Sequence, residues 1–202
     1  MEKLVLSSIY LASISGKPFL EIIKGRTFAS EEEIESKMNQ LIENQLIKKD
    51  RKILTELGRS SLRVVLAGGV FDIIHPGHIH TLNSAKGLGD ILIVVIATDK
   101  TAQRMKKRSP LHNQEQRKML VDSLSVVDLG IVGHEEDIFK TVDLIRPQII
   151  ALGYDQVHQE KSILEGCRKI NLDVEVARLQ SPIPEMSSSI IEKKYGENIH
   201  DI

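Results

Sequence analysis

The stretch from Gly68 to His78 reads Gly-Gly-Val-Phe-Asp-Ile-Ile-His-Pro-Gly-His, and it directly follows the apolar run Val64 to Ala67. Proline suits the first turn of a helix, because its φ is already helical and the N–H that it lacks would have no partner there. Pro76 therefore predicts a helix over about residues 77–87. A buried strand, a turn with glycines and a helix, in this order, indicate an α/β fold.

The same alternation of strand and helix continues through the rest of the chain. Near-continuous apolar runs are typical of strands buried on both faces of a parallel sheet, and they occur at residues 64–67, 91–97, 129–132, 149–152 and 174–177. Helical patterns fall at about residues 77–87, 99–107, 113–124, 135–144, 158–170 and 187–195. We expect a Rossmann-like, doubly wound parallel sheet, in which ligands bind at the carboxyl ends of the strands.

The first part of the chain follows another pattern, and the polar run Leu57 to Ser61 marks the boundary. We expect a small domain at residues 1–60 and a larger one at residues 63–202. Helical spacing of apolar residues predicts two helices near the N-terminus. Ser30 and Glu33 have the capping-box spacing that begins a third helix.

Composition narrows the class of protein. With 41% hydrophobic residues in 202, the chain can form a substantial core, and its net charge of −1 gives no global attraction to nucleic acid or anionic lipid. A single cysteine, Cys167, excludes an intramolecular disulfide and fits a reducing compartment. The longest apolar runs, such as Ile91 to Ala97, are too short to span a membrane. We therefore expect a cytoplasmic protein without a membrane contact.

The residues around Pro76 suit an anion. Free N–H groups and the dipole at a helix N-terminus attract phosphate, and His75 and His78 lie on the same side of that first turn. Gly77 lacks a side chain and lets a nucleotide approach the backbone. Asp72 has two interpretations: it orients backbone N–H groups of the turn, or it contacts an acceptor substrate. No nearby carboxylate is spaced to complete a zinc site, so we predict no metal held by the protein itself.

This stretch resembles the His-x-Gly-His signature of the cytidylyltransferase-like nucleotidyltransferase superfamily, and the resemblance extends over about residues 63–195. It implies transfer of a nucleoside monophosphate from a nucleoside triphosphate to a phosphorylated small molecule, with release of pyrophosphate and with Mg²⁺ bridging the triphosphate. It also implies that both histidines donate to the α-phosphate. The nucleotide would lie along Gly69, Val70, Phe71 and Gly77.

A basic cluster follows the second strand, at Arg104, Lys106, Lys107 and Arg108. In a charge-balanced chain such a cluster can bind the triphosphate or the acceptor phosphate. The resemblance implies one lysine on the transferred phosphate; we choose Lys106, with Lys107 as the alternative. Asp99 and Arg104 are assigned to the acceptor.

Three further segments resemble elements of the superfamily. Glu115-x-Arg117 resembles an element whose arginine helps to bind nucleotide or acceptor. The second segment, Gly153-Tyr154-Asp155-Gln156, lies where a nucleotide base is expected and resembles the Leu-Gly-x-Asp-Gln element of archaeal FAD synthases. The third, Ser187-Ser188-Ser189, resembles a hydroxyl run that holds the β- and γ-phosphates, although Ser187 also suits an ordinary helix cap.

These elements together resemble the archaeal FAD synthases most. The resemblance implies ATP and FMN as substrates, with transfer of AMP to FMN. The alternative within the class is a cytidylyltransferase that uses CTP and acts on glycerol 3-phosphate or a similar phosphorylated alcohol.

The N-terminal domain suggests an alternative of another class. Two short extended pieces, residues 46–49 and 52–55, predict a hairpin, and three helices with a hairpin resemble a winged-helix domain. The protein would then be a ligand-sensing DNA-binding regulator. The third helix, however, begins with carboxylates that repel a phosphate backbone: Glu31, Glu32, Glu33 and Glu35. We therefore expect no strong DNA binding and assign the domain to a homodimer contact or to substrate gating.

Overall fold

The computed structural model describes residues 1–153, 156, 159–180 and 191. The chain forms two compact units: the first is Met1–Val64 with Gly89–Ile91, and the second is Val65–Leu88 with Leu92–Ile202. Within the described residues, no helix is both long enough and apolar enough to cross a membrane.

The first unit is helical. Its helices are α1 Glu2–Ser15, α2 Phe19–Lys24, α3 Glu31–Glu43 and α4 Glu56–Ser60. The predicted capping box is present: the Ser30 hydroxyl accepts from the Glu33 N–H, and the Glu33 carboxylate accepts from the Ser30 N–H.

The predicted hairpin of the first unit is reduced to one antiparallel bridge, between Ile47 and Leu54. Arg51 adopts a left-handed conformation (φ 61°), which interrupts the extended backbone. Thr55 is used as the N-cap of α4, a helix that the sequence pattern did not predict, and its hydroxyl accepts from the Gly58 N–H. The resemblance to a winged helix thus stays a prediction.

Strands and helices alternate in the rest of the chain, as the apolar runs predict. The elements are β1 Val64–Gly69, α5 Pro76–Lys86, β2 Ile91–Ile96, α6 Asp99–Lys106, α7 Gln114–Asp122, β3 Leu129–Val132, α8 Ile138–Ile145, β4 Ile149–Leu152, α9 Glu160–Lys169 and β5 Glu175–Arg178. Helix α8 begins three residues later than predicted, because the Asp137 side chain caps it by accepting from the Phe139 N–H. The predicted helix at residues 187–195 lies outside the described residues, apart from Ile191.

The five strands form one parallel sheet in the order β3-β2-β1-β4-β5. The chain moves outward from β1 to β3 and then returns to the other side of β1 with β4. This reversal opens a crevice between the carboxyl ends of β1 and β4, where ligands of doubly wound folds bind. Apolar residues of β1, β2 and β4 pack against α5 and α7 and form a buried core. The predicted Rossmann-like architecture is confirmed.

Candidate active site

The turn between β1 and α5 places His75 at the N-cap position of the helix. Its backbone is extended (φ −141°, ψ 167°), and Pro76 is the first helical residue. The His75 carbonyl accepts from the His78 N–H at 2.9 Å, but the His75 side chain makes no capping hydrogen bond. The imidazole therefore has no role as a helix cap.

His75 and His78 lie side by side. Their ring centroids are 3.9 Å apart, and the ring planes are inclined by 38°. The Nδ1 atom of each ring is buried and has no hydrogen-bond partner among the described residues. Since buried polar atoms in native proteins are nearly always hydrogen-bonded, two adjacent nitrogens in this state indicate a place for a polar ligand.

The surroundings favour the neutral form of both imidazoles at pH 7. Burial first, then His75 and the positive charge of Lys106, lower the pKa of His78 to about 4. Burial and then Lys106 also lower the pKa of His75. A neutral imidazole keeps one N–H donor. The site thus combines two N–H donors, a lysine charge and a helix N-terminus, which together suit a phosphate that gains negative charge.

Phe71 supports His78 from the turn. Its backbone is left-handed (φ 54°), a conformation that costs about 1–3 kcal/mol for a bulky residue. The Phe71 ring packs on His78 with 5.2 Å between centroids. A Cβ atom on Gly69 would lie 3.0 Å from the Phe71 ring, so a larger residue there would require the ring to shift. Val70 and Gly77 are also buried.

Asp72 points into the protein and is 1% exposed. Its Oδ1 atom accepts from the N–H groups of Leu111 (2.7 Å) and His112 (3.3 Å). Its Oδ2 atom accepts from Arg108 at 2.9 Å. Of the two predicted roles, these contacts favour the orientation of backbone N–H groups over contact with an acceptor. The N–H groups belong to the segment after α6 and not to the turn that carries Asp72.

Arg117 is 0% exposed. Its Nη1 atom donates to the Val70 carbonyl at 2.7 Å, Nη2 donates to the Asp99 carboxylate at 2.7 Å, and Nε donates to the His112 carbonyl at 2.9 Å. The resemblance implies a direct contact with nucleotide or acceptor, but the structure turns this guanidinium away from any opening. Arg117 instead joins three segments that surround the site.

Helix α6 carries the other predicted residues. Asp99 lies in its first turn, with a side chain that is 43% exposed and is held by Arg117. Arg104 is exposed, and Lys106 is half-buried at the last helical position. Lys107 is exposed and ends the helix in a left-handed conformation (φ 58°). Of the two lysines, Lys106 is the one whose charge acts on both histidines.

A cavity of about 360 Å³ opens at the carboxyl edge of the sheet. Backbone and small residues at the ends of β1 and β2 form its rim, and Arg104 of α6 lies in its wall. Its interior is mostly apolar and is lined by residues of β1, β2, β4, α6, α8 and α9. The main apolar lining residues are Leu66, Val95, Met105, Ile138, Phe139 and Ile163. The cavity and the histidine pair thus share α6 as a common boundary.

The segment after β4 contributes Gln156, the last residue of the element quoted from the sequence, to which no separate role was assigned. The Gln156 amide donates to the Gly68 carbonyl at 3.1 Å and accepts from the Gly153 N–H at 3.2 Å. It therefore holds together the ends of β1 and β4 at the crevice. Five predicted site residues lie outside the described residues, namely Tyr154, Asp155, Ser187, Ser188 and Ser189.

Arg108 and His112 belong to the same network of contacts, because both bind Asp72. Sequence reasoning placed Arg108 in the basic cluster but gave His112 no role, because their shared partner Asp72 lies 36 and 40 residues away along the chain. Within the part of the chain that the structure describes, no three His, Cys, Asp or Glu side chains are grouped so that they could hold a metal ion.

Comparison with known proteins defines the class. The cytidylyltransferase-like family model matches residues 66–194, and the chain therefore belongs to the cytidylyltransferase-like family. The match begins at β1 and includes the histidine pair, so the superfamily resemblance read from the sequence is confirmed. Residues before position 66 lie outside the match.

The chain is also similar to individual known proteins. An FAD synthase from Picrophilus torridus is 51% identical over 125 residues, which are 62% of this chain and 89% of the relative. An FAD synthase from Aciduliprofundum boonei is 46% identical over 134 residues, covering 66% of this chain and 80% of the relative. The crystal structure of the lipopolysaccharide core biosynthesis protein from Thermoplasma volcanium superposes with a TM-score of 0.57 at 43% identity, over 59% of this chain and 98% of that one.

Proposed function

We propose that this protein is an FMN adenylyltransferase, which transfers AMP from ATP to FMN and so forms FAD. A phosphate oxygen of FMN attacks the α-phosphorus of ATP, the bond from that phosphorus to the bridging oxygen breaks, and pyrophosphate leaves with the electron pair. The observation that carries the proposal is the pair of buried, unpartnered histidine nitrogens at the start of α5, in a chain whose relatives at 43–51% identity are FAD synthases.

The histidines stabilise the transition state in this mechanism. Negative charge builds up on the oxygens of the α-phosphate as the new bond forms, and His75 and His78 each have an N–H to donate to them. Lys106 adds a positive charge on the same side, and the N-terminal end of the α5 dipole adds a partial one. No covalent enzyme intermediate is required, because positioning and charge stabilisation are the main contributions to phosphoryl chemistry.

Mg²⁺ would be bound chiefly through the triphosphate. This ion usually keeps several waters and joins substrate phosphates to few protein ligands. We assign it the bridging of phosphate oxygens, and we assign the β- and γ-phosphates to Ser187, Ser188 and Ser189.

The apolar cavity suits the isoalloxazine ring of FMN. Its volume of about 360 Å³ falls within the range of small-molecule sites. An aromatic ring bound there would leave its phosphate chain to run along α6, past Arg104 and toward Lys106. ATP would then lie along the β1–α5 turn beside the histidine pair, and we assign the contacts with its base to Gly153, Tyr154 and Asp155.

The proposal is tested with the purified full-length protein and Mg²⁺. ATP or CTP is combined with FMN or glycerol 3-phosphate, and both pyrophosphate release and the nucleotide product are measured. We expect FAD from ATP and FMN and far slower turnover in the other combinations. Preferential use of CTP and glycerol 3-phosphate would replace this proposal with the cytidylyltransferase alternative.

A further inference from the structure

We infer that Arg117 and Asp72 are positioning residues that fasten α6 at both ends to the β1–α5 turn and thereby hold Lys106 against the histidine pair. Neither side chain reaches a substrate, and both contact the turn and α6 or the segment that follows it. The inference rests on the proposed function for its kinetic test, but its structural test is independent of activity.

Arg117 makes the connection at the N-terminal end of α6. One nitrogen donates to the carbonyl of Val70 in the turn, and another donates to the carboxylate of Asp99 in the first turn of α6, both at 2.7 Å. Arginine can do this because its planar guanidinium presents several donors in a fixed geometry, which a lysine cannot reproduce. Since Arg117 is fully buried, its bond to the Val70 carbonyl is shielded from competing water.

Asp72 makes the connection at the C-terminal end of α6. Arg108 follows Lys106 by two residues and donates to the Asp72 carboxylate at 2.9 Å. The Leu111 N–H donates to the same carboxylate at 2.7 Å, and the His112 Nδ1 atom lies 3.1 Å from the Asp72 carbonyl oxygen. The backbone on both sides of Lys106 is thus tied to the turn that carries His75.

The position of the Lys106 ammonium group follows from these two connections. Lysine has a flexible four-carbon stem, so its location depends on where the helix places its Cα atom. Its charge already lowers the pKa of both histidines. If α6 moves away from the turn, that charge moves away too, and the pKa of each histidine should rise.

The structural test follows the histidine resonances by NMR titration in full-length variants. We expect Arg117→Gln to raise the pKa of His78 in the same direction as Lys106→Ala does. The matched control is Lys118→Gln, which removes the neighbouring surface ion pair with Asp122 and should leave the His78 pKa unchanged. Asp72→Asn provides a second variant with the same expected direction, in case the buried site does not tolerate glutamine at position 117.

The kinetic test is a double-mutant cycle. We expect Arg117→Gln to lower kcat for FAD formation about 10²-fold, as a displacement of about 1 Å can do, with little change in KM for ATP. In the Lys106→Ala background the same substitution should cause little further loss, because it acts through Lys106. Arg117→Lys should restore only part of the rate.

Two results would overturn the inference: an unchanged His78 pKa in folded Arg117→Gln and Asp72→Asn proteins, or equal losses of kcat with and without Lys106. A wild-type protein that forms no FAD would instead contradict the proposed function. In that case the NMR comparison still tests whether Arg117 and Asp72 position Lys106.

Discussion

At the scale of single residues, the proposed chemistry depends on two imidazoles whose pKa values are lowered. His78 has a pKa of about 4, chiefly because it is buried, and the pKa of His75 is lowered for the same reason. A triphosphate placed beside them brings negative charge, which favours the protonated form and raises both pKa values. Free and bound enzyme therefore differ in the number of protons they hold.

We predict that ATP binding takes up protons near pH 6. In the free enzyme His78 is unprotonated at this pH, and in the complex its raised pKa makes it partly protonated, so affinity should increase as the pH falls through the bound-state pKa. Titration calorimetry in buffers with different ionisation enthalpies measures this uptake. His78→Gln should take up fewer protons than the wild type, and equal uptake by the two would show that the imidazole does not face the nucleotide.

The sequence placed the histidine pair at a helix start, as the structure has it, but it did not reveal the partners of Asp72 and Arg117. Pro76, the glycines and the histidines act through local geometry, which their spacing reveals. The partners of Asp72 and Arg117 come from distant parts of the chain, and only the folded sheet brings them together. An arginine in a helix pattern reads as exposed, although Arg117 is fully buried.

At the scale of elements, apolar runs predicted β3 and β4 to the residue. Such strands lie buried, so their ends coincide with the ends of the apolar pattern. The predicted hairpin of the N-terminal unit is present but short, with one antiparallel bridge between Ile47 and Leu54 and a left-handed Arg51 in its turn. Helix α4 was missed because five residues are too few for a periodic pattern.

Helix α8 offers a test of the cavity as the flavin site. Ile138 is 45% exposed and lines the cavity, so Ile138→Trp should narrow it. We expect the KM for FMN to rise about tenfold or more, with the KM for ATP unchanged. Leu144→Trp is the control, because Leu144 is also exposed on α8 but is absent from the cavity wall. A rise in the KM for ATP alone would place adenine in the cavity.

At the scale of the whole molecule, the described residues that support the proposed function all lie in the second unit. The family match begins at residue 66, and every described site residue lies in the second unit. We predict that a chain shortened to residues 61–202 folds and forms FAD at a measurable rate, as shown by circular dichroism and product analysis. A folded but inactive chain would mean that the first unit supplies an active-site residue or an obligatory dimer contact.

The role of the first unit stays a prediction. Four carboxylates lie at the start of α3, and Arg51 of the hairpin is engaged by Glu35 and Asn39. Both features reduce the positive charge available to a phosphate backbone. We therefore keep the expectation of weak DNA binding and of a homodimer contact or substrate gating.

The most direct test of the central claim is the turnover of FAD formation in three histidine variants. His75→Ala and His78→Ala should each lower kcat by roughly 10² to 10³, the usual loss for one transition-state donor, with a much smaller effect on the KM for ATP. His80→Ala, an exposed position on the same helix, should keep the wild-type rate. Wild-type turnover by a folded His75→Ala or His78→Ala protein would contradict the account.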